Sequence, residues 1–310
     1  MGGNQTSVTE FLLLGFPLSP RMKVILFGLF SLLFAFTLLG NGVILGLISL
    51  DSRLHTPMYF FLSQLATVDI AYACNTVPQM LVNLLSPAQP ISFAGCLMQT
   101  FLYLIFGHTE CFLLMVMSYD RYMAVCLPLR YSAIMSWRVC ITLAVASWTV
   151  GFLMTLVDVV LLLLLPFCSP QKVNHFFCEI LAVLNVACAD THFNKVVVLS
   201  VASLALVGPL SAIVVSYGRI VWAALRIQSA EGCWKAFSTC SSHLCVVGFF
   251  YGIAMIMCVG PQHGDPQEQK KYLPLFHSLF NPMLNPLIYS LRNREVKAAL
   301  RRRLGKGRPS

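Results

Sequence analysis

Met117-Ser118-Tyr119-Asp120-Arg121-Tyr122-Met123-Ala124-Val125-Cys126 sets a carboxylate and a guanidinium side by side at the end of an apolar run that begins near Cys96. Charges are costly in a bilayer, so a pair at the edge of such a run marks where a helix leaves lipid. The pair can neutralise itself while the helix end is packed, or separate so that Arg121 finds another partner, which makes it a two-state element. Taken alone, Arg121 reads equally well as a boundary anchor on the cytosolic side. The surroundings have to decide.

Those surroundings belong to a membrane. Of the 310 residues, 57% are hydrophobic and only 11% charged, and the mean hydropathy is +0.76. A soluble domain carries about 25% charged residues. Met1 to Glu10 is polar and lacks the basic flank and short apolar core of a cleavable signal peptide, so the first long apolar segment is expected to act as its own insertion signal. A spanning helix needs about 20 largely apolar residues. Runs of that kind cover Val24–Leu50, Pro57–Leu85, Cys96–Met123, Val139–Leu165, Val196–Leu225, Ala236–Val259 and Tyr272–Leu291. The last is the shortest and holds Pro274, Pro282 and Pro286, which membrane helices tolerate where neighbours re-satisfy the freed backbone groups. The expected fold is an all-α membrane protein, a seven-transmembrane helix bundle occupying residues 24–291.

An odd number of spans puts the termini on opposite sides. With the C-terminus inside, fifteen of the 21 Lys and Arg fall in cytosolic segments: Arg53, Arg121, Arg130, Arg138, Arg219, Arg226, Lys235, Arg292, Arg294, Lys297, Arg301, Arg302, Arg303, Lys306 and Arg308. Only Arg21, Lys23, Lys172, Lys195, Lys270 and Lys271 fall outside. The bias places the C-terminus in the cytosol and residues 1–23 outside. Asn4-Gln5-Thr6 fits the N-glycosylation acceptor pattern and points the same way. In the cytosolic tail, residues 292–310, Val296, Leu300 and Leu304 alternate with a dense basic face, the pattern of a short amphipathic helix on an anionic leaflet. The net charge of +9 is therefore directed at membrane lipids, and nucleic acid is not an expected partner. No internal repeat or low-complexity tract is visible.

Most of the 12 cysteines lie in apolar runs, where a thiol behaves as a small hydrophobe. Cys96, Cys168, Cys178 and Cys188 fall at or beyond the oxidising outer surface, where pairing is expected. Four cysteines allow three connectivities, which the sequence does not separate. His175-Phe176-Phe177-Cys178-Glu179 resembles a metal site in composition, but a disulfide at Cys178 would leave too few ligands, so a structural loop is the better reading.

Asp69 and Glu110 lie near the middles of the second and third spans. Two carboxylates at similar depth repel unless a cation or proton sits between them. Asn41 and Asn285 offer further oxygens. The pair is therefore a candidate cation site for sodium, with neutral, hydrogen-bonded acids as the equally weighted alternative; no other cofactor is expected. Asp158, near the outer end of the fourth span, is placed either to face a cavity or to reach the interface.

Taken together, several stretches make the chain similar to the odorant receptors, of tetrapod type, within the rhodopsin-like seven-helix class of G-protein-coupled receptors. They are Gly40-Asn41, the run Leu54-His55-Thr56-Pro57-Met58-Tyr59-Phe60-Phe61-Leu62, the opening decapeptide and Ser216-Tyr217. Lys235-Ala236-Phe237-Ser238-Thr239-Cys240-Ser241-Ser242-His243-Leu244 and Pro282-Met283-Leu284-Asn285-Pro286-Leu287-Ile288-Tyr289-Ser290-Leu291-Arg292-Asn293 complete the set. Phe249-Phe250-Tyr251-Gly252 stands in the sixth span where the wider class carries a Trp and a Pro kink, again as in odorant receptors. Ser118, Met123 and Val125 depart conservatively from the family pattern.

The resemblance implies the pairings Cys96–Cys178 and Cys168–Cys188. It implies detection of a small odorant relayed through a stimulatory heterotrimeric G protein to cAMP. Asp120, Arg121 and Tyr122 would hold the resting state, Tyr217 and Tyr289 would meet Arg121 on activation, and Asn285 and Pro286 belong to the same activation motif. Lys235 to His243 would line the G-protein crevice.

Tyr103, Leu104, Gly107, His108 and Cys111 recur at steps of three and four and so share one helix face. Periodicity alone would place them in an ordinary core. The resemblance makes them a ligand pocket, together with Val201, Ala202, Ala205, Tyr251, Met255, Cys258, Leu275 and Ser278. The set holds no Lys or Arg, which favours a neutral odorant over a carboxylate. The competing reading is a seven-helix receptor for a non-odorant small molecule or metabolite, with Asp158 as the acid nearest to an amine site. No nucleophile–base arrangement or metal cluster supports an enzyme, and no repeat symmetry supports a transporter.

Overall fold

The computed structural model describes residues 9–15, 18–86, 88–168, 172–226, 230–259, 266–292 and 294–305, apart from the side chains of 230–239, 258–259, 266–271, 290–292, 294 and 304. The expected glycosylation site at Asn4 and the side chains of Lys235 and Cys258 lie outside this set. Seven long helices follow in order: Pro20–Leu50, Pro57–Leu85, Phe93–Cys126, Trp137–Leu163, His192–Leu225, Ala230–Val259 and Pro266–Arg292. An eighth, Arg294–Gly305, follows the seventh.

Sequence signals explain most of these limits. The first helix starts at Ser19, whose side chain accepts from the Met22 amide, with Pro20 in its first turn. Pro57 opens the second helix, and the Ser92 hydroxyl accepts from the Gly95 amide at 3.0 Å to open the third. Among the described residues, five helices are long and apolar enough on their own to cross a membrane. The second and seventh are not among them. They carry the buried polar residues Asp69, Thr76, Asn83, His277, Ser278, Asn281 and Asn285, which face the interior of the bundle. Large apolar side chains such as Leu32, Leu39 and Leu204 are about two-thirds exposed, as a lipid-facing wall requires.

The third helix is central, packing on the second, fourth, fifth and sixth, while the first packs on the second and seventh. Two glycines permit close approach. A Cβ on Gly40 would lie 2.9 Å from Pro286 Cγ, and one on Gly151 would lie 2.6 Å from Thr109 Oγ1. Pro286 has no N–H to give to the carbonyl of Pro282. Asn41 Nδ2 donates to that carbonyl at 2.9 Å, tying the first helix to the seventh.

A three-stranded sheet was not foreseen in the polar-looking N-terminus. β1 (Glu10–Leu14) pairs antiparallel with β2 (Ala88–Ser92) in the register Glu10↔Ser92, and parallel with β3 (Lys172–Val173) at Leu12↔Lys172. Phe11 and Leu13 point inward from β1 and are buried with Cys96, Val173, Cys178 and Ile180. The final helix buries Val296 and Ala299 against the bundle. Its polar residues clamp the first two helices: Tyr59 donates to Glu295 at 2.7 Å, Arg302 pairs with Asp51 at 2.6 Å, and Arg303 donates to the Leu50 carbonyl.

Candidate functional site

Three polar assemblies sit inside the bundle, one above another. At the disulfide-bearing end, Cys96–Cys178 ties the start of the third helix to the loop between the fourth and fifth, and Cys168–Cys188 closes that loop on itself. Side chains hold the loop in place. Gln99 Oε1 accepts from the Cys178 amide at 2.8 Å, Thr100 donates to its carbonyl at 3.0 Å, and Asn83 donates to the Phe176 carbonyl at 2.7 Å. Phe176 and Phe177 are fully buried beneath. His175, considered for a metal, instead accepts from the Phe177 amide at 3.4 Å. Glu179 accepts from the Ala182 amide at 2.9 Å and caps the short helix Ile180–Leu184. Burial pushes the Glu179 carboxyl above its usual range, against the pull of the Leu181 and Ala182 amides.

Under this loop lies a cavity of about 170 Å³. Tyr103, Leu104, Gly107, His108 and Cys111 line it from the third helix and Ala202 and Ala205 from the fifth. The sixth and seventh helices differ from expectation. Phe250, Ala254, Met257 and His277 reach the cavity, whereas Tyr251, Met255, Leu275 and Ser278 do not. The reason is rotation of the helix face. The Tyr251 hydroxyl is bonded to the Cys111 carbonyl at 3.0 Å, which turns position 250 and its i+4 and i+7 neighbours toward the cavity. Ser278 spends its hydroxyl on the Pro274 carbonyl at 2.8 Å, and Leu275 packs in an aromatic cluster with Tyr72 and Phe176. Val201 is half-buried and off the wall.

The sequence reading also passed over Tyr72, Glu179, Ile180, Leu181, Val198, Leu199 and Leu206, which line the cavity together with Asp158, the acid the sequence set nearest to an amine site. For Asp158 the signal was present, since it lies three residues beyond Thr155 on one helix face, and Thr155 Oγ1 is 3.1 Å from His108 Nδ1. A broader, open concavity lined by Leu199, Ser203, Leu204 and Val207 runs along the fifth helix alone. Its exposed apolar rim makes it lipid-facing surface rather than an enclosed site.

In the middle of the bundle, Asn285 Nδ2 donates to both carboxylate oxygens of Asp69, at 3.1 and 2.9 Å, and Asn281 Nδ2 donates to Glu110 Oε1 at 2.7 Å. The side-chain oxygens of Asn281 and Asn285 are buried without hydrogen-bond partners. Both carboxylates thus accept from amides of the seventh helix, whose own oxygens are left over, and oxygen is the donor type that suits a hard cation. Asn41, whose oxygen was expected here, uses its Nδ2 on the Thr37 and Pro282 carbonyls.

At the Arg121 end, no ion pair joins Asp120 to Arg121 among the described residues, the separated one of the two arrangements open to them. Asp120 is buried and accepts from the Tyr131 hydroxyl at 2.7 Å. Arg121 Nε is buried without a hydrogen-bond partner. Tyr217 is bonded to His243 Nδ1 at 2.7 Å and stacks on its ring. His243 is fully buried in this packing. The Tyr289 hydroxyl is buried and unpartnered. Arg121 lies within electrostatic range of Tyr217, His243 and Tyr289, so the structure gathers these residues around one guanidinium. Tyr122 beside it is half-buried, and Pro286 sits against Gly40.

A family model described as olfactory receptor matches residues 30–306. The chain is 72% identical to olfactory receptor 2A7 of Mus musculus over 302 residues, covering 97% of each chain. It is 71% identical to olfactory receptor 2A25 of Homo sapiens over 310 residues, covering 100% of both. Among solved structures, squid rhodopsin matches with a TM-score of 0.71 at 17% identity, covering 93% of this chain and 87% of the other, a likeness of fold.

Proposed function

The chain belongs to the olfactory receptor family, a family of multi-pass receptors rather than enzymes, and we propose that it binds a small, neutral, hydrophobic odorant and activates a stimulatory heterotrimeric G protein to raise cAMP. The observation that carries the ligand half is the cavity under the disulfide-tied loop: apolar walls, a few buried polar groups, and no Lys or Arg among the described lining residues. A carboxylate ligand would find no cation to pair with. The signalling half rests on the cluster around Arg121, where side-chain hydrogen bonds rather than covalent links tie the fifth helix to the sixth and Asp120 to Tyr131. A ligand that favours an open arrangement shifts that population. The charge bias and the Asn4 acceptor support a cytosolic Arg121 end and an outer N-terminus.

The test is a cAMP reporter in cells with verified surface expression, screened against a chemically broad odorant panel. Signal from a neutral odorant that disappears in Arg121→Ala supports the reading, and His108→Ala then probes the cavity. Silence across the panel overturns the ligand class and the G-protein partner together.

The oxygen set at Asp69, Glu110, Asn281 and Asn285 supports a second proposal, a sodium ion that favours one packing of the bundle. Asp69 and Glu110 would hold it and the two amide oxygens would complete its shell. The double variant Asp69→Asn, Glu110→Gln should lose any sodium dependence of basal cAMP. Unchanged sodium dependence in that variant removes the ion from the site.

A further inference from the structure

The polar groups around the cavity are not equally free. His108 is engaged by the fourth helix, through Thr155 and the backbone of Gly151. Tyr251 is spent on Cys111 and Glu179 on the Ala182 amide. Asp158 differs from all of these. It is 2% exposed, it belongs to the cavity wall, and its Oδ1 is buried with no hydrogen-bond partner. The facing wall from the fifth helix is Val198, Leu199, Ala202, Ala205 and Leu206, and none of these side chains can donate. A buried carboxylate oxygen without a donor is costly, and a leucine at that position would carry no such cost. His277 Nδ1 is also unpartnered, but its ring lies against Tyr72 and Phe250, and an imidazole can donate or accept. His277 therefore selects no head group. Asp158 does, because what its oxygen lacks is a donor.

We propose that Asp158 anchors the ligand, and that the receptor selects molecules with a hydrogen-bond donor head, a hydroxyl or an ammonium, on a small apolar body. Ethers, esters and ketones of the same skeleton lack the donor and leave the oxygen unpaired. The inference rests on the odorant-pocket reading and narrows it. Charge separates the two donor heads, so alcohols and amines form distinct arms of the test.

The experiment compares alkanols and alkylamines of several chain lengths and ring types with their methyl ethers and methyl ketones, in the cAMP assay. The wild-type receptor should respond to donor-headed members at concentrations about tenfold or more below their capped analogues, the scale of one hydrogen bond to a charged group. Asp158→Leu should abolish that difference, while Asp158→Asn, which keeps an accepting oxygen, should retain much of it. The purified, ligand-free Asp158→Leu receptor should melt at the same temperature as wild type or higher. A dominant amine response keeps the donor rule and corrects the ligand's charge. Equal potency of donor and capped series in the wild type, or a preference surviving in Asp158→Leu, overturns the proposal and leaves the odorant reading standing. A clear drop in melting temperature for Asp158→Leu also overturns it, by revealing a structural partner. Silence in every series at verified surface expression overturns both readings.

Discussion

The two ends of the bundle are held by different chemistry. At the disulfide end, two covalent bridges, a three-stranded sheet and several side-chain-to-backbone bonds fix the loop above the cavity. At the Arg121 end, side-chain hydrogen bonds and the Asp51–Arg302 ion pair do the work. A hydrogen bond contributes about 1 kcal/mol net, whereas a disulfide contributes about 2–4. The contrast fits a receptor whose ligand chamber keeps its shape while the opposite end exchanges partners. The Arg121 end already contains the means for exchange, in an unpaired guanidinium nitrogen and an unpaired Tyr289 hydroxyl.

The comparison breaks most visibly at Cys178. Cys178→Ala removes the bridge to Cys96 and should cost about 2–5 kcal/mol, seen as loss of surface expression and of every ligand response. If that variant reaches the surface and responds normally, the loop does not depend on the bridge and the contrast fails. Next in size is Tyr131→Phe. It leaves buried Asp120 Oδ1 without its donor, at a cost of about 1–3 kcal/mol. The freed carboxylate becomes available to Arg121, so basal cAMP should change while expression at the surface persists. Equal basal signal in Tyr131→Phe and wild type would remove Tyr131 from the resting contacts.

The smallest effect is expected at Asp51. Arg302, bonded to it, holds its carboxyl below the ordinary value of 3.8. A lowered folded-state value stabilises above the unfolded one and is lost as pH falls through the folded one. Docking of the C-terminal helix, followed by a spin or fluorescent label near residue 305, should therefore be insensitive to pH between about 7 and 5 and weaken only in stronger acid. Asp51→Asn should loosen the helix modestly, more at low salt than at high, as a partly exposed pair requires. A docking change centred near neutral pH would show that another group governs the contact.

What was legible beforehand followed local rules. The helix limits at Leu50, Leu225 and Val259 coincide with the ends of apolar runs, because a bilayer demands continuous apolar length whatever the tertiary packing. The amphipathic spacing of Val296 and Leu300 likewise appears as a helix with Val296 buried. The β-sheet was not legible, because Glu10–Leu14 finds its partners about 80 and 160 positions away, and a short polar-flanked segment carries no sign of them. Within the cavity, periodicity put the third-helix residues on one face, and the family resemblance made that face a pocket wall. The sixth-helix face was set one residue off, since the Tyr251 bond to a carbonyl on another helix fixes the rotation.

By itself the sequence determined the membrane class, the seven long helices, the charge asymmetry and the family, since each depends on composition, period or a contiguous motif. Only the tertiary structure decided which polar atoms remain unpaired. Asn41 is spent on Pro282, Asp120 on Tyr131 and Tyr217 on His243, while Asp158 keeps an oxygen free beside the cavity. The physical reason is that a hydrogen bond reaches only about 3 Å. Which donor arrives first is settled by the packing of distant helices, which no local pattern encodes.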